Sequence, residues 1–176
     1  VISAGPHHDA EAQGTVEPAT FRDAMARFPT GVTIVTTHDE DGVPYGFTAS
    51  SFCSVSLDPP LVLVCLAKSA NSYPVFARTG HFAVSILQAH HADVAHRFAS
   101  KAADKFASGE FVRTDQDRTV LAGAAAAVEC LVASRYDVGD HMIMVGRVDT
   151  VLLGDKGTPA IYFDRRFGTV ATVSRE

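Results

Sequence analysis

Apolar side chains recur in this chain mostly at the two-residue period of a β-strand, and at the helical period only in short stretches. The first such stretch is helical. Thr20 followed by Asp23 forms a capping pattern, Phe21, Met25 and Phe28 recur at i, i+4 and i+7, and Pro29 closes the segment. From Gly31 the texture becomes β-branched through residues 32–37, and Asp39-Glu40-Asp41-Gly42 supplies a hairpin turn into the next strand.

That next strand is predicted over residues 45–57. One of its faces collects Phe47, Ala49, Ser51, Cys53, Val55 and Leu57, and the other Thr48, Ser50, Phe52, Ser54 and Ser56. The first face is core-like and the second is rich in hydroxyls. After Asp58-Pro59-Pro60, the run over residues 61–66 is continuously apolar, which predicts a strand buried on both faces. Residues 69–79 read as a short helix with Tyr73 and Phe76 inward and Pro74 near its start. A strand over 81–87, a helix over 92–99, a polar connection over 100–109 and a short strand over 110–112 follow. A long hairpin pairs 125–138 with 142–153 around Gly139-Asp140, and a last strand begins at 160. Strands joined mainly by tight turns, without alternating βαβ units, predict a mainly β fold with short helices, an antiparallel barrel or sandwich.

Composition narrows this picture. The chain has 176 residues, of which 47% are hydrophobic and 20% charged, as in one ordinary globular domain. At 18.7 kDa folding should bury roughly 70% of the unfolded surface, enough for a core without metal or disulfide staples. Residues 1–18 read as a flexible tail and 19–176 as the domain. The net charge of -5 argues against duplex nucleic acid or an anionic membrane as the main partner. No apolar stretch approaches the length of a membrane helix, and the first residues lack the pattern of a secretion signal. Cys53, Cys65 and Cys130 each lie in an apolar or strand-like run and read as reduced core thiols of a cytoplasmic protein.

Several chemistries are excluded. None of the 13 glycines forms Gly-x-Gly, so neither the dinucleotide fingerprint nor the phosphate loop is present. His90, His91 and His96 are spaced for different helix faces and read as a solvated helix, not a zinc site. On the positive side, the hydroxyl face from Thr48 to Ser56 could hydrogen-bond a polar ring system, although such faces commonly serve only for solvation. Lys68-Ser69-Ala70-Asn71-Ser72, where a buried strand meets a helix start, could hold an anion or simply cap the helix. His141 follows the long hairpin's turn, and Arg165-Arg166-Phe167 joins cations to an aromatic ring near the C-terminus.

Four segments in order carry a family resemblance: Phe28-Pro29-Thr30-Gly31-Val32-Thr33; Gly46-Phe47-Thr48-Ala49-Ser50-Ser51-Phe52; Ser54-Val55-Ser56-Leu57-Asp58-Pro59-Pro60; and Gly139-Asp140-His141 with Val145-Gly146-Arg147-Val148. The arrangement resembles the short-chain flavin reductases of two-component flavin-dependent monooxygenases. The resemblance implies a homodimeric Greek-key split β-barrel that reduces FAD or FMN with NADH or NADPH and supplies reduced flavin to a separate monooxygenase. By position it implies that Thr48, Ala49, Ser50, Ser51, Phe52, Ser54 and Val55 contact the flavin ring and ribityl chain, and that Ser69, Ala70 and Asn71 lie at its phosphate. It further implies that His141 meets the nicotinamide, and that Arg165, Arg166, Phe167 and Gly168 help seat the dinucleotide. A flavin-binding electron carrier or sensor on the same barrel is the alternative, and a pyridoxal-phosphate-linked oxidase is a third.

Overall fold

A computed structural model describes residues 16–102 and 104–170. The N-terminal elements are α1 (Pro18–Ala26), β1 (Thr30–Gly31), β2 (Thr33–His38), β3 (Pro44–Ala49), β4 (Cys53–Leu57), β5 (Pro60–Ala67) and α2 (Tyr73–Phe76). They continue with β6 (His81–Ile86), α3 (Ala92–Ala99), β7 (Phe111–Arg113), β8 (Thr119–Leu121), β9 (Ala126–Val138), β10 (His141–Leu153), β11 (Ile161–Phe163) and β12 (Arg166–Gly168). The tail expected over 1–18 falls, up to residue 15, outside the described residues, and Pro18 already opens α1.

The mainly β architecture is as expected. Seven antiparallel strands form one sheet in the order β3-β2-β6-β9-β10-β5-β4, and the long hairpin β9–β10 is its spine. Val35, Phe47, Val62, Val64, Phe82 and Met144 fill one face together with Phe76 of α2. A second cluster joins Ile34 and Leu87 to Val94, Ala95 and Phe98 of α3. Phe98 can lie on β3 because Gly46 is beneath it. A Cβ at that position would stand 2.7 Å from the Phe98 ring. Phe98 is 1% exposed, and burying such a ring contributes about 2 kcal/mol.

Three expectations are corrected. Residues 45–57 are two strands, β3 and β4, at opposite edges of the sheet, and the chain crosses between them over Ser50, Ser51 and Phe52. The alternation of apolar and polar residues runs unbroken through the crossing, so the pattern does not mark it. Phe47 and Ala49 are buried as predicted, but Cys53, Val55 and Leu57 are exposed, Leu57 at 91%. Ser51 anchors the crossing. Its hydroxyl accepts from the Cys65 amide at 3.0 Å and donates to the Cys65 carbonyl at 3.3 Å, beyond the last β4–β5 pair. The second correction concerns β5, where Val62, Val64 and Leu66 are buried but Leu61, Leu63 and Cys65 are only half-buried. Among the described residues only one packed layer lies against this strand. Thirdly, β8 was not foreseen. The β7–β8 hairpin lies on the outer face of the sheet, where Val120 packs on Ala83 and Ala127, Ser85 accepts the Leu121 amide at 3.0 Å, and Thr36 donates to the Thr119 carbonyl.

Of the three histidines read as a solvated helix, His90 and His96 are exposed and His91 is not. His91 is buried, and its Nδ1 accepts the Gln88 amide at 3.1 Å. His38 and His81 meet with their ring planes tilted by 54°, centroids 4.7 Å apart and Nδ1 to Nε2 at 3.3 Å. Burial first, then the Arg118 guanidinium, pushes His81 from 6.5 down to about 4, and burial followed by Arg113 lowers His38. His38 acts in the same direction, and the His81 ring is neutral above its unfolded value of 6.5, where its contribution is complete. It is lost as pH falls from there toward about 4, a loss of about 1–2 kcal/mol once partial exposure is allowed for. The urea midpoint should decline over this window, and His81→Gln should flatten the decline.

Candidate functional site

A cavity of about 390 Å³ opens where β3, β5, α2, α3 and β10 converge. Thr48, Ala49, Ser50 and Ser51 line it from β3 and the crossing, and Ser69, Ala70, Asn71 and Ser72 from the β5–α2 connection. His141, at the start of β10, faces Ala67 in the β5–β10 register and completes this group. Sequence positions far apart thus reach one hollow because β5 is shared by the crossing, the turns before α2 and the long hairpin.

The hydroxyls are less free than the sequence suggests. Thr48 donates to the Ala95 carbonyl at 2.6 Å, tying β3 to α3, and Ser51 is engaged with Cys65. Ser50 remains exposed. The cation expected beside Ser69 is also engaged elsewhere. Lys68 donates to the Gly139 carbonyl at 3.1 Å and lies 3.7 Å from the Asp137 carboxylate, while its amide donates to the Asp140 carbonyl at 2.9 Å. Lys68 therefore clamps the hairpin turn that carries His141. Within that turn Asp140 accepts from His141 Nδ1 at 2.7 Å, a bond that fixes the ring's tautomer and holds the Asp140 carboxyl below its usual range.

The cavity's cations are Lys101 and Lys105, which sequence reasoning passed over as part of a polar connection. Their signal was two lysines four residues apart directly after a helix in an acidic chain. Lys105 donates to the Phe98 carbonyl at 2.8 Å, and its burial lowers its pKa. Among the described residues no carboxylate lines the cavity. A hollow with two ammonium groups, amides and hydroxyls but no acid suits a phosphate-bearing polar ring system.

Other predicted residues lie elsewhere. Phe52 is half-buried against the core, and Ser54 and Val55 are exposed on edge strand β4. Arg165 is drawn to Asp23 of α1, and Asp164 and Arg165 form the β11–β12 turn with φ of 47° and 59°. Arg166 and Gly168 are exposed on that hairpin. Phe167 lines a second cleft of about 230 Å³ with Tyr162 and His96, whose ring meets Phe167 edge-on at 4.7 Å. Thr48, Ser50 and Ala99 border both this cleft and the larger cavity.

A family model described as flavin reductase like domain matches residues 25–171. The chain is 60% identical over 154 residues to a protein of Streptomyces coelicolor named actinorhodin polyketide dimerase, covering 88% of this chain and 87% of that one. It is 39% identical to the flavin-dependent monooxygenase, reductase subunit HsaB, of Mycobacterium tuberculosis, over 77% of this chain and 72% of the other. The chain spans 57%, 42% and 42% of the length of three further curated relatives. Among solved structures, the NADH:FAD oxidoreductase SgcE6 of Streptomyces globisporus, in complex with NAD and FAD fragments, superposes with a TM-score of 0.82 at 36% identity, covering 90% of this chain and 98% of that one. With most of its length matched by the model and by these relatives, the chain belongs to the flavin reductase family of oxidoreductases.

Proposed function

We propose that this chain reduces FAD or FMN with NADH and releases the reduced flavin to a separate monooxygenase. The observation that carries the proposal is the common border at Thr48, Ser50 and Ala99 between a polar, lysine-bearing cavity and an aromatic cleft. Two flat ring systems seated in these hollows would meet at Ser50, and hydride transfer depends on such proximity more than on an acid or base. A bound flavin supplies the hydride acceptor. The chain's own residues bind and orient: Thr48, Ala49, Ser50 and Ser51 beside the ring, Ser69, Ala70 and Asn71 with Lys101 at the phosphate, and Phe167 and His96 against the dinucleotide.

His141 is read as an orienting group, held by Asp140. His141→Ala should raise the NADH KM several-fold and leave the pH profile of turnover without a new limb. A variant with both KM and turnover unchanged would remove the residue from the site. The NADH:FAD chemistry named for the SgcE6 structure supports NADH as the first donor to test, ahead of NADPH.

The same reading closes the sheet into a split barrel and pairs two copies. Its support is the apolar surface left open, with Val55 at 50%, Leu57 at 91% and Leu153 at 85% exposed. It also gives Ser54 and Val55, remote from the cavity in one copy, a route to the site. Sedimentation equilibrium should return twice the chain mass. A cytoplasmic location is part of the proposal, and no helix among the described residues is long and apolar enough to cross a membrane.

The S. coelicolor relative's name supports a polyketide as the partner oxygenase's substrate. On this reading oxidative coupling belongs to the oxygenase. The reductase, NADH and flavin alone should therefore yield no dimer from a polyketide monomer. A diffusible product also requires a site of moderate affinity, so dialysis should strip the flavin.

A further inference from the structure

Two cations fasten the segment over residues 68–79 to the β9–β10 hairpin, and neither lines the cavity or the Phe167 cleft. At the far end of the segment, Arg135 of β9 donates from Nε to the Phe76 carbonyl at 3.2 Å and from its guanidinium to the Thr79 carbonyl. At the near end, Lys68 donates to the Gly139 carbonyl at 3.1 Å. Between the two clamps lie Ser69, Ala70 and Asn71, which line the cavity on one side, while His141, just past the hairpin turn, lines it on another.

Gly139 is the reason a clamp matters at the turn. Its φ of 54° is left-handed, and the place a Cβ would occupy is open space. Side-chain packing therefore does not set the Gly139–Asp140 peptide from that side, and the ammonium on its carbonyl oxygen does. Such a bond to a charged donor is stronger than a neutral one. The Asp137 carboxylate, 3.7 Å from the ammonium and 70% exposed, adds little. The Asp140 side chain is 94% exposed and holds His141 Nδ1 at 2.7 Å, so the ring's direction follows from where the turn places Asp140.

Resting on the reading of His141 as the group that orients the nicotinamide, we propose that Lys68 is a positioning residue for hydride transfer: by pinning the Gly139 carbonyl it holds Asp140, and through Asp140 the His141 ring, at a set place opposite Ser69, Ala70 and Asn71. Lys68 stands directly before the wall that Ser69 opens, so one side chain fixes the spacing between that wall and the ring. The effect is on the dinucleotide and not on the flavin phosphate, because the ammonium is turned to the hairpin and Lys101 and Lys105 are the cations of the cavity.

The test is Lys68→Met, which keeps the alkyl stem and the bond from the backbone amide to the Asp140 carbonyl and removes only the ammonium. The ring nitrogens of His141 are read by NMR at about pH 8, where an ordinary imidazole is neutral. Wild type should show the Nδ1-protonated tautomer held by Asp140, and Lys68→Met a shift toward the mixture of a free imidazole. The NADH KM should rise about threefold, within the several-fold rise expected for His141→Ala, with kcat and the flavin dissociation constant unchanged. Lys68→Arg should restore tautomer and KM, and Lys68→Met should add nothing to His141→Ala. Arg135→Met, at the other clamp, should lower the melting temperature and leave the tautomer as in wild type. An unchanged tautomer in Lys68→Met would overturn the proposal. So would a loss of flavin affinity larger than the rise in NADH KM, which would make Lys68 a phosphate contact, or an Arg135→Met protein in which the ring is freed equally, which would reduce the effect to general loosening. A ring freed in Lys68→Met with the NADH KM unmoved would leave the clamp standing and refute His141 as the nicotinamide contact.

Discussion

Gly146→Val is expected to destabilise the protein by about 3 kcal/mol or more, the upper end of the cost of overpacking a closed core. Gly146 lies in β10 between Val62 of β5 and Val132 of β9. A Cβ there would stand 2.4 and 2.6 Å from two atoms of the Phe82 ring and 2.8 Å from the Cys130 Cβ. Phe82 and Cys130 are both 0% exposed, so neither can swing into solvent to make room. In a domain of this size the melting temperature should fall by about 6–12 °C. The cause can be separated from any general dislike of valine at this position. Phe82→Leu in the same chain should recover part of the loss, giving a favourable coupling in the double-mutant cycle. A Gly146→Val protein that melts with the wild type would show that Phe82 does not sit over the strand as described.

Ser50→Phe should have the largest effect on catalysis with the smallest effect on folding. Ser50 is exposed and forms part of both the lysine-bearing cavity and the Phe167 cleft. A benzyl group at this border would separate two stacked rings by more than the near-contact that hydride transfer needs, and kcat/KM should fall about 100-fold. Thermal melting should be unchanged, and flavin binding should weaken much less than turnover. If the variant retained wild-type kcat/KM, the two hollows would not be the places where donor and acceptor meet.

Both predictions depend on features that the sequence showed unequally. The helix at Ala92–Ala99 and the hairpin of β9 and β10 were legible because long, strongly periodic segments ended in clear turn chemistry. The division at Ser50–Phe52 was not, since a strand that crosses from one edge of a sheet to the other keeps its two-residue alternation while changing partners. For the same reason Cys53, Val55 and Leu57 read as core although they are exposed. Exposure at an edge depends on what stands opposite, which no local pattern encodes.

Within the site, Thr48, Ser50, Ser69, Asn71 and His141 were singled out in the sequence, and the fold brings them to one cavity. Lys68 was expected to supply the positive charge and instead holds the Gly139–Asp140 turn, a contact across 71 residues. Lys101 and Lys105 take that place because α3 ends at Ala99 against β3, an arrangement set by Phe98 over Gly46. Arg165, expected beside the dinucleotide, lies against Asp23 of α1. Its partner, Asp23, is remote in sequence and adjacent only in the fold.

The proposed reaction is the transfer of a hydride from NADH to a flavin. Mixing the purified protein with free FAD and NADH without oxygen, and following the flavin's visible band together with the nicotinamide band, tests it most directly. Both bands should bleach together, one NADH consumed per flavin reduced. A flavin that stays bound and oxidised in the presence of excess NADH would contradict it.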